Sequence, residues 1–518
     1  MINLKRRKRQ ASENSEIVLN AFLEGISNRE TIIELLECGN VIKSELELET
    51  MIKKMENEVK TIVSVMEPSW AIPIIIEIIG KLYYGKFKNH VFSGPIFKRA
   101  LSYLWNNLYT QHGEQKNIKQ LTKLLLYCYT IESLYSYKKM FFVVPEFYLY
   151  FEKGHIGVPK EYKEIFNEFG YMLRGKGKRL RVAETNTYLM LTKTVDFLKG
   201  LLSVLTGKSP KEIEVFKNTF YEMIPGIENE ECKKFWQQVF LRYAFFIGIL
   251  VQLKEDEDGT EVFMFREFEI EIPEGILTQE VAENIFWKKK WFQKQNKEIY
   301  SNLIVDRPIL RISETGDFAT SAVIIGDSIN NFIEKQIFGY AGQVEMNLPR
   351  EIFKKAFSDP FEEMCIDYFR KQGFIAGHIL ESGVWKIQNQ NIDLKVIEDE
   401  LFGEVDVFAY YPETNICFLI ECKVLHDIQD TRSYKNIVAK LKDDSEEYRA
   451  KLRKKSIWIK KVLEKMNMID VEVVKILLTD LPLPIIDGDD DILLLDFYRL
   501  RNMIEYLMED LSTDGGNL

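Results

Sequence analysis

Histidine and cysteine are scarce in this chain, and neither is arranged to hold zinc. The five histidines of 518 residues (His90, His112, His155, His378 and His426) form no ligand spacing. The six cysteines (Cys38, Cys128, Cys232, Cys365, Cys417 and Cys422) contain no Cys-x-x-Cys pair and mostly sit in apolar segments. That excludes a zinc ribbon and a disulfide framework, and a reducing cytoplasm is the expected location. Long apolar runs are missing too. Residues 70–80 are few and carry Pro73 and Glu77, and residues 239–253 carry Arg242. Both fall short of the roughly 20 residues a membrane span needs, so no membrane partner is expected. The basic stretch Lys5-Arg6-Arg7-Lys8-Arg9 runs into Gln10-Ala11-Ser12-Glu13-Asn14 rather than an apolar segment, so it does not read as a secretory signal. Gly207-Lys208-Ser209 looks like the end of a phosphate-binding loop, but Leu202 stands where that loop needs glycine. No ATPase or helicase chemistry is therefore expected. Asp487-Gly488-Asp489-Asp490-Asp491 is acidic without the spacing of a calcium loop. Positive charge is also in deficit, since the formal net charge is -10, so any nucleic-acid surface must be local.

What is present is an ordinary globular composition, 46% hydrophobic and 29% charged. At this length roughly two to four domains are expected. The expected fold is multidomain α+β. Residues 1–250 read as mostly helical, with a start signal at Ser27-Asn28-Arg29-Glu30. Leu121, Leu124, Leu125, Cys128 and Ile131 fall at helical spacing, as do Tyr188, Leu191, Val195, Leu198 and Leu202. Residues 140–150 interrupt this pattern with a strand-like run. Residues 251–350 form a mixed α+β connecting region. It has a half-buried strand over 262–272, a short strand over 307–312 and an amphipathic helix over 327–338. Residues 351–518 read as a C-terminal α/β domain. Helix is expected over 361–371, strand within 387–396, helix over 444–466, strand over 471–479 and a closing helix over 492–507. The tail at 512–517 reads as frayed.

The chemistry concentrates in Gly403-Glu404-Val405-Asp406-Val407, with Glu421-Cys422-Lys423 fifteen residues after the aspartate. Between them lie an apolar run, a turn containing Pro412 and Asn415, and a second apolar run. Two adjacent strands joined by a short turn would carry this pattern. Alternation points Glu421 and Lys423 the same way, and Asp406 on the neighbouring strand can share their side. Two carboxylates then face a hard divalent cation such as Mg²⁺ or Mn²⁺, with an ammonium beside them. Three ionisable groups at the ends of apolar strands are costly unless paired or metal-bound.

This segment resembles the PD-(D/E)xK nuclease superfamily, in the variant whose first motif reads Gly-Glu-φ-Asp. Val405 stands where the proline of the family name would be. The resemblance covers roughly residues 359–505. It implies a restriction-endonuclease-like core of order α-β-β-β-α-β-α, with Mg²⁺ or Mn²⁺ held by Asp406 and Glu421 and an attacking water oriented by Lys423. It also implies a glutamate on the preceding helix, where Phe361-Glu362-Glu363-Met364 offers two. Glu362 flanks the apolar face of Phe361, Met364, Cys365 and Tyr368, whereas Glu363 points away, so Glu362 is preferred. Glu362 could equally be a capping-box acid behind Asp359 as N-cap and Pro360. Glu404 could support a second ion or lie on the surface.

Residues 431–465 hold twelve Lys and Arg against five Asp and Glu. Lys451, Arg453, Lys454 and Lys455 form the expected nucleic-acid contact, a charge run that could also be a plain solvated helix face. Arg174-Gly175-Lys176-Gly177-Lys178-Arg179-Leu180-Arg181 and Trp287-Lys288-Lys289-Lys290-Trp291 are weaker candidates of the same kind. The resemblance implies phosphodiester hydrolysis, chiefly in DNA, in a restriction or antiphage setting. The N-terminal half would recognise a partner protein or a DNA structure, and a homodimer would suit double-strand cutting. The alternatives are a nuclease for branched or damaged DNA and a catalytically silent binding scaffold.

Overall fold

The computed structural model describes residues 13–28, 41–83, 93–107 and 113–162 (145, 153 and 154 excepted), a few positions between 229 and 246, and 262–266. It further describes 287–328 (288, 314 and 315 excepted) and 350–514, with breaks at 389, 395–402, 426–427, 429, 443–447, 469 and 484–490. The chain divides into two compact units, residues 1–162, 193–348 and 429–431 in the first, and 163–192, 349–428 and 432–518 in the second. The 251–350 region, expected to stand apart as a connector, falls almost wholly in the first unit.

Among the described residues, the long helices of the first unit are α1 (Glu13–Ser27), α2 (Glu45–Val65), α3 (Pro68–Tyr83), α4 (Ser93–Asn107) and α5 (Ile118–Lys138). Their starts are set by side chains that take up orphan backbone N–H groups. The Ser44 hydroxyl accepts from the Glu47 N–H, and Asn117 Oδ1 accepts from the Lys119 and Gln120 N–H groups. Helix α5 turns Leu121, Leu124, Leu125, Cys128 and Ile131 inward and packs on α1, α2 and α4. Residues 70–80 form the buried middle of α3, with Pro73 inside the helix. Ser27 is the last residue of α1, and the Asn28 N–H still donates to the Glu24 carbonyl; the helix expected to start at 27–30 would run over residues outside the described ones.

The described residues of this unit also form two small sheets. The first pairs β1 (Val41–Ile42), β2 (Leu149–Glu152) and β3 (His155–Gly157). Met140–Val143 is a helical turn, so the expected strand begins only at Leu149. The second pairs β4 (Phe263–Arg266) and β5 (Leu310–Arg311) on either side of β6 (Asp317–Thr320). An ionic cluster around buried Arg99 and Glu56 ties the helices to residues 297–300. The Arg99 guanidinium pairs with Glu132 and donates to the Lys297 and Glu298 carbonyls at 2.7 and 2.9 Å. Buried Glu56 receives Lys297 and the Tyr103 hydroxyl.

The second unit carries a mixed seven-stranded sheet of order β13-β12-β11-β10-β7-β8-β9. Its strands are β7 (Ile375–Ile379), β8 (Val384–Ile387), β9 (Gln390–Asp393), β10 (Val405–Tyr411), β11 (Ile416–Lys423), β12 (Glu472–Thr479) and β13 (Ile492–Asp496). From β10 to β9 the pairing is antiparallel, while β11, β12 and β13 run parallel. Helices α6 (Asp359–Lys371) and α9 (Phe497–Asp514) share a core with Val407, Ala409, Ile420 and Cys422 on one face. Helices α7 (Thr431–Lys442) and α8 (Tyr448–Lys465) lie between β11 and β12 in sequence. Gly373, at φ +89°, ends α6 in the left-handed conformation that glycine adopts most easily.

Several expectations for this unit need correction. Residues 492–507 are not one helix, because 492–496 form β13 beside β12. The run Ile492-Leu493-Leu494-Leu495 has no periodicity to separate strand from helix, and the sheet decides it. The true start of α9 is Asp496, whose Oδ1 accepts from the Tyr498 and Arg499 N–H groups. Asp359 is not an N-cap. The chain is already helical through Arg350–Phe353 and a π-helical turn over Lys354–Ser358, and Asp359 continues it at φ -56°, ψ -45°. The strand expected within 387–396 is β9, and it is joined in a hairpin to β8, with β7 before them, two strands the sequence pattern did not show. The expectations for residues 174–181, 188–202, 207–209, 239–253, His426 and 487–490, most of 327–338 and the end of 512–517 lie outside the described residues.

Candidate active site

Strands β10 and β11 form a hairpin whose register decides the site. Val407 lies opposite Ile420, so one step further brings Asp406 level with Glu421. The turn is fixed by Asn415, which takes φ +54° while its Oδ1 accepts the Tyr410 hydroxyl at 3.0 Å. Ile420 and Cys422 point into the core under α6 and α9. Alternation then places Glu421 and Lys423 on the opposite face.

The side chains gather closely. Asp406 is 8% exposed, and its Oδ2 accepts the Cys422 backbone N–H at 2.7 Å. Glu421 is held at both oxygens: Lys423 Nζ donates to Oε1 at 2.7 Å and Lys455 Nζ donates to Oε2 at 2.6 Å. Lys423 Nζ also lies 4.8 Å from the centre of the Tyr448 ring. Glu362 on α6 is 5% exposed, and its Oε2 lies 3.7 Å from His378 Nδ1. Glu363 is exposed and sits 3.0 Å from His378 Nε2. Of the two glutamates, Glu362 is the one turned toward the carboxylates, and a capping role is excluded by the helical backbone upstream. Glu404 pairs with Lys354 at 3.2 Å in a half-exposed position.

Protonation records the strain of this cluster. Burial, then the charges of Asp406 and Asp359, push the Glu362 carboxyl up to about 9. Burial, then Glu421, push Asp406 up to about 6, against the pull of Lys423, Lys455 and the Cys422 N–H. Burial acts to raise Glu421 as well, but the two lysines outweigh it and its carboxyl sits below its ordinary value. Burial acts to lower Lys423, and Glu421 and Asp406 reverse it, so the ammonium is held firmly charged.

The four residues of α8 expected to contact nucleic acid do not act alike. Lys451 and Lys454 are exposed. Arg453 is half-buried, with its Nε 3.1 Å from Asp491. Lys455 is 8% exposed and belongs to the carboxylate cluster, not to a solvent-facing phosphate patch. Its signal in the sequence was its phase: Leu452, Lys455, Ser456, Ile459 and Leu463 share the buried stripe of α8. His378 was missed because β7 was not recognised as a strand.

No family model, curated protein or solved structure matches the chain. Among the described residues no helix is long and apolar enough to cross a membrane, and no three His, Cys, Asp or Glu side chains are grouped to hold a metal ion. Lysines occupy both oxygens of Glu421. The donor set still suits a hard cation. Burial first, and neighbouring carboxylates second, hold Glu362 and Asp406 above their ordinary protonation range.

Proposed function

We propose that the second unit is a divalent-metal-dependent nuclease of restriction-endonuclease-like fold, cleaving phosphodiester bonds in DNA. The carrying observation is the junction of Asp406 and Glu421 at adjacent strand ends, with Lys423 beside them and the buried Glu362 arriving from α6. Asp406 and Glu421 would hold Mg²⁺ or Mn²⁺, with Glu362 supporting them. Such an ion lowers the pKa of a bound water and offsets charge on the phosphate.

The chain's own residues have distinct tasks. The Cys422 N–H fixes Asp406 in one orientation. Lys423, kept cationic by Glu421 and Asp406, presents an ammonium to a water or a phosphate oxygen where negative charge develops. Lys455 holds the far oxygen of Glu421. Exposed Lys451 and Lys454 add charge that a phosphate backbone would meet. A restriction or antiphage role in the cytoplasm, a protein partner for the helical first unit and a homodimer belong to the same proposal.

A second reading has one observation in its favour. With both oxygens of Glu421 taken by lysines, the cluster is internally bridged, as a metal-free nucleic-acid-binding scaffold would be. Incubating plasmid and single-stranded DNA with the full chain and Mg²⁺ or Mn²⁺ decides between them, run beside Asp406→Ala and Lys423→Ala. The nuclease reading expects cleavage that EDTA abolishes and both variants lose. DNA binding without cleavage under either metal would leave the scaffold.

A further inference from the structure

A cavity of about 520 Å³ opens between the β7–β10 half of the sheet and α8, on the face that carries Glu421. That volume is in the range of small-molecule sites. Its floor is aromatic, with Trp385, Phe408 and Tyr410, and its far wall is aliphatic, with Ile459. The rim holds two exposed amides, Gln388 and Gln390, on the β8–β9 hairpin. Trp385 and Phe408 meet edge to face, 4.9 Å between ring centres. An apolar slot with aromatic walls and amides at its mouth suits a flat heterocycle with polar atoms on its edge. An aliphatic chain would use neither the ring faces nor the amides.

Position narrows the ligand further. Phe408 lies two residues beyond Asp406 along β10, about 7 Å at the rise of a strand. Ile459 lies one turn beyond Lys455 along α8, about 6 Å. The cavity therefore adjoins the carboxylate cluster at roughly the spacing of one nucleotide. We propose that it is a nucleobase pocket, taking the unpaired base of a nucleotide beside the phosphate at that cluster. This rests on the nuclease reading for the base to arrive on a strand. The same chemistry would also accept the base of a free nucleotide. A strand bound this way must be single or locally opened, because a base inside a duplex is stacked and paired.

The test uses the full chain in EDTA, where nothing is cleaved, with 2-aminopurine as the reporting base. One arm offers it within a short single strand and the other as the free riboside. Stacking in an aromatic pocket quenches its emission, and base stacking of this kind is worth about tenfold or more in affinity. Val462→Trp fills the aliphatic side of the cavity and should weaken binding by about that factor. Gln390→Ala, at the exposed rim, should weaken it without disturbing the fold. Thermal melting checks both variants, and Gln390→Ala carries the test if Val462→Trp melts early. Quenching in the strand arm that both variants reduce supports the pocket and a base carried by a strand. Quenching by the riboside alone, again reduced by both, supports the pocket with a free nucleotide as its source. No quenching in either arm, or quenching that neither variant changes, overturns the proposal. Metal-dependent cleavage by the wild type keeps the two readings apart. Cleavage without quenching removes the pocket alone, and quenching without cleavage removes the nuclease alone.

Discussion

Each of the two units buries a cluster of ionised groups, and the clusters differ in how they balance. In the first unit Arg99 faces Glu132, and Lys297 faces Glu56, with backbone carbonyls and the Tyr103 hydroxyl filling what remains. Each acid there has a cation. The second unit has three carboxylates, Glu362, Asp406 and Glu421, and both lysines are spent on the last of them. Asp406 has only a backbone N–H, and Glu362 has an imidazole at 3.7 Å. A balanced cluster can be a cornerstone of packing, whereas a buried carboxyl without a cation of its own, as Glu362 is, must keep its proton or cost stability, and that implies a use. The difference separates a structural polar core from a candidate site without any appeal to motif.

The comparison breaks most visibly by removing one partner from each cluster. Arg99→Ala leaves the largely buried Glu132 and two carbonyls without the donor that fully buried Arg99 supplies. It should cost about 3–5 kcal/mol, read as a lowered urea midpoint for the first unit. Glu362→Gln in the second unit should do the reverse in the absence of metal. The folded Glu362 carboxyl, at about 9, lies far above its unfolded value, so the fold favours its protonated form. That contribution is full below about pH 4.5 and is lost as pH rises toward 9. The variant should therefore melt like wild type near pH 4.5 and above it at pH 8 to 9. The slope removed is at most about 1.4 kcal/mol per pH unit. A variant less stable than wild type at pH 9 would show that Glu362 is a paired structural acid like those around Arg99.

The sequence made part of this legible. Apolar runs around a Pro and Asn turn were enough to place Asp406, Glu421 and Lys423 on a hairpin, because strand alternation is a local rule. The phase of α6 was enough to choose Glu362 over Glu363. Lys455 was hidden by counting charges along α8 instead of asking which of them fell on the apolar stripe. His378 could not be placed without β7, whose Ile375-Ala376-Gly377-His378-Ile379 lacks a clear alternation and takes its strand form from pairing with β10 and β8. The balance of the Arg99 cluster depends on contacts across more than 190 residues of chain, which no local pattern encodes.

A cation should let these buried carboxyls ionise, so metal ought to stabilise the second unit and leave the first unchanged. Binding must displace the protons that Glu362 and Asp406 retain below about 9 and about 6. Mg²⁺ should therefore raise the melting temperature more at pH 8 than at pH 5.5, and the increment should shrink in Asp406→Asn. Equal increments at both values, or an unchanged increment in Asp406→Asn, would move the metal away from this cluster.

The smallest effects belong to the exposed charges. Lys451→Ala and Lys454→Ala remove solvated ammonium groups that take no part in the carboxylate cluster, so stability should stay within about 0.5 kcal/mol of wild type. If the patch meets a phosphate backbone, each substitution should weaken DNA binding alike for every sequence and lower the salt dependence by about one counterion. Lys455→Ala makes the contrast, because it frees one oxygen of Glu421. It should leave the salt slope nearly intact while moving the pH at which metal stabilises the second unit. A salt slope that falls equally for Lys455 and Lys451 would merge the two groups and return Lys455 to the phosphate-binding face.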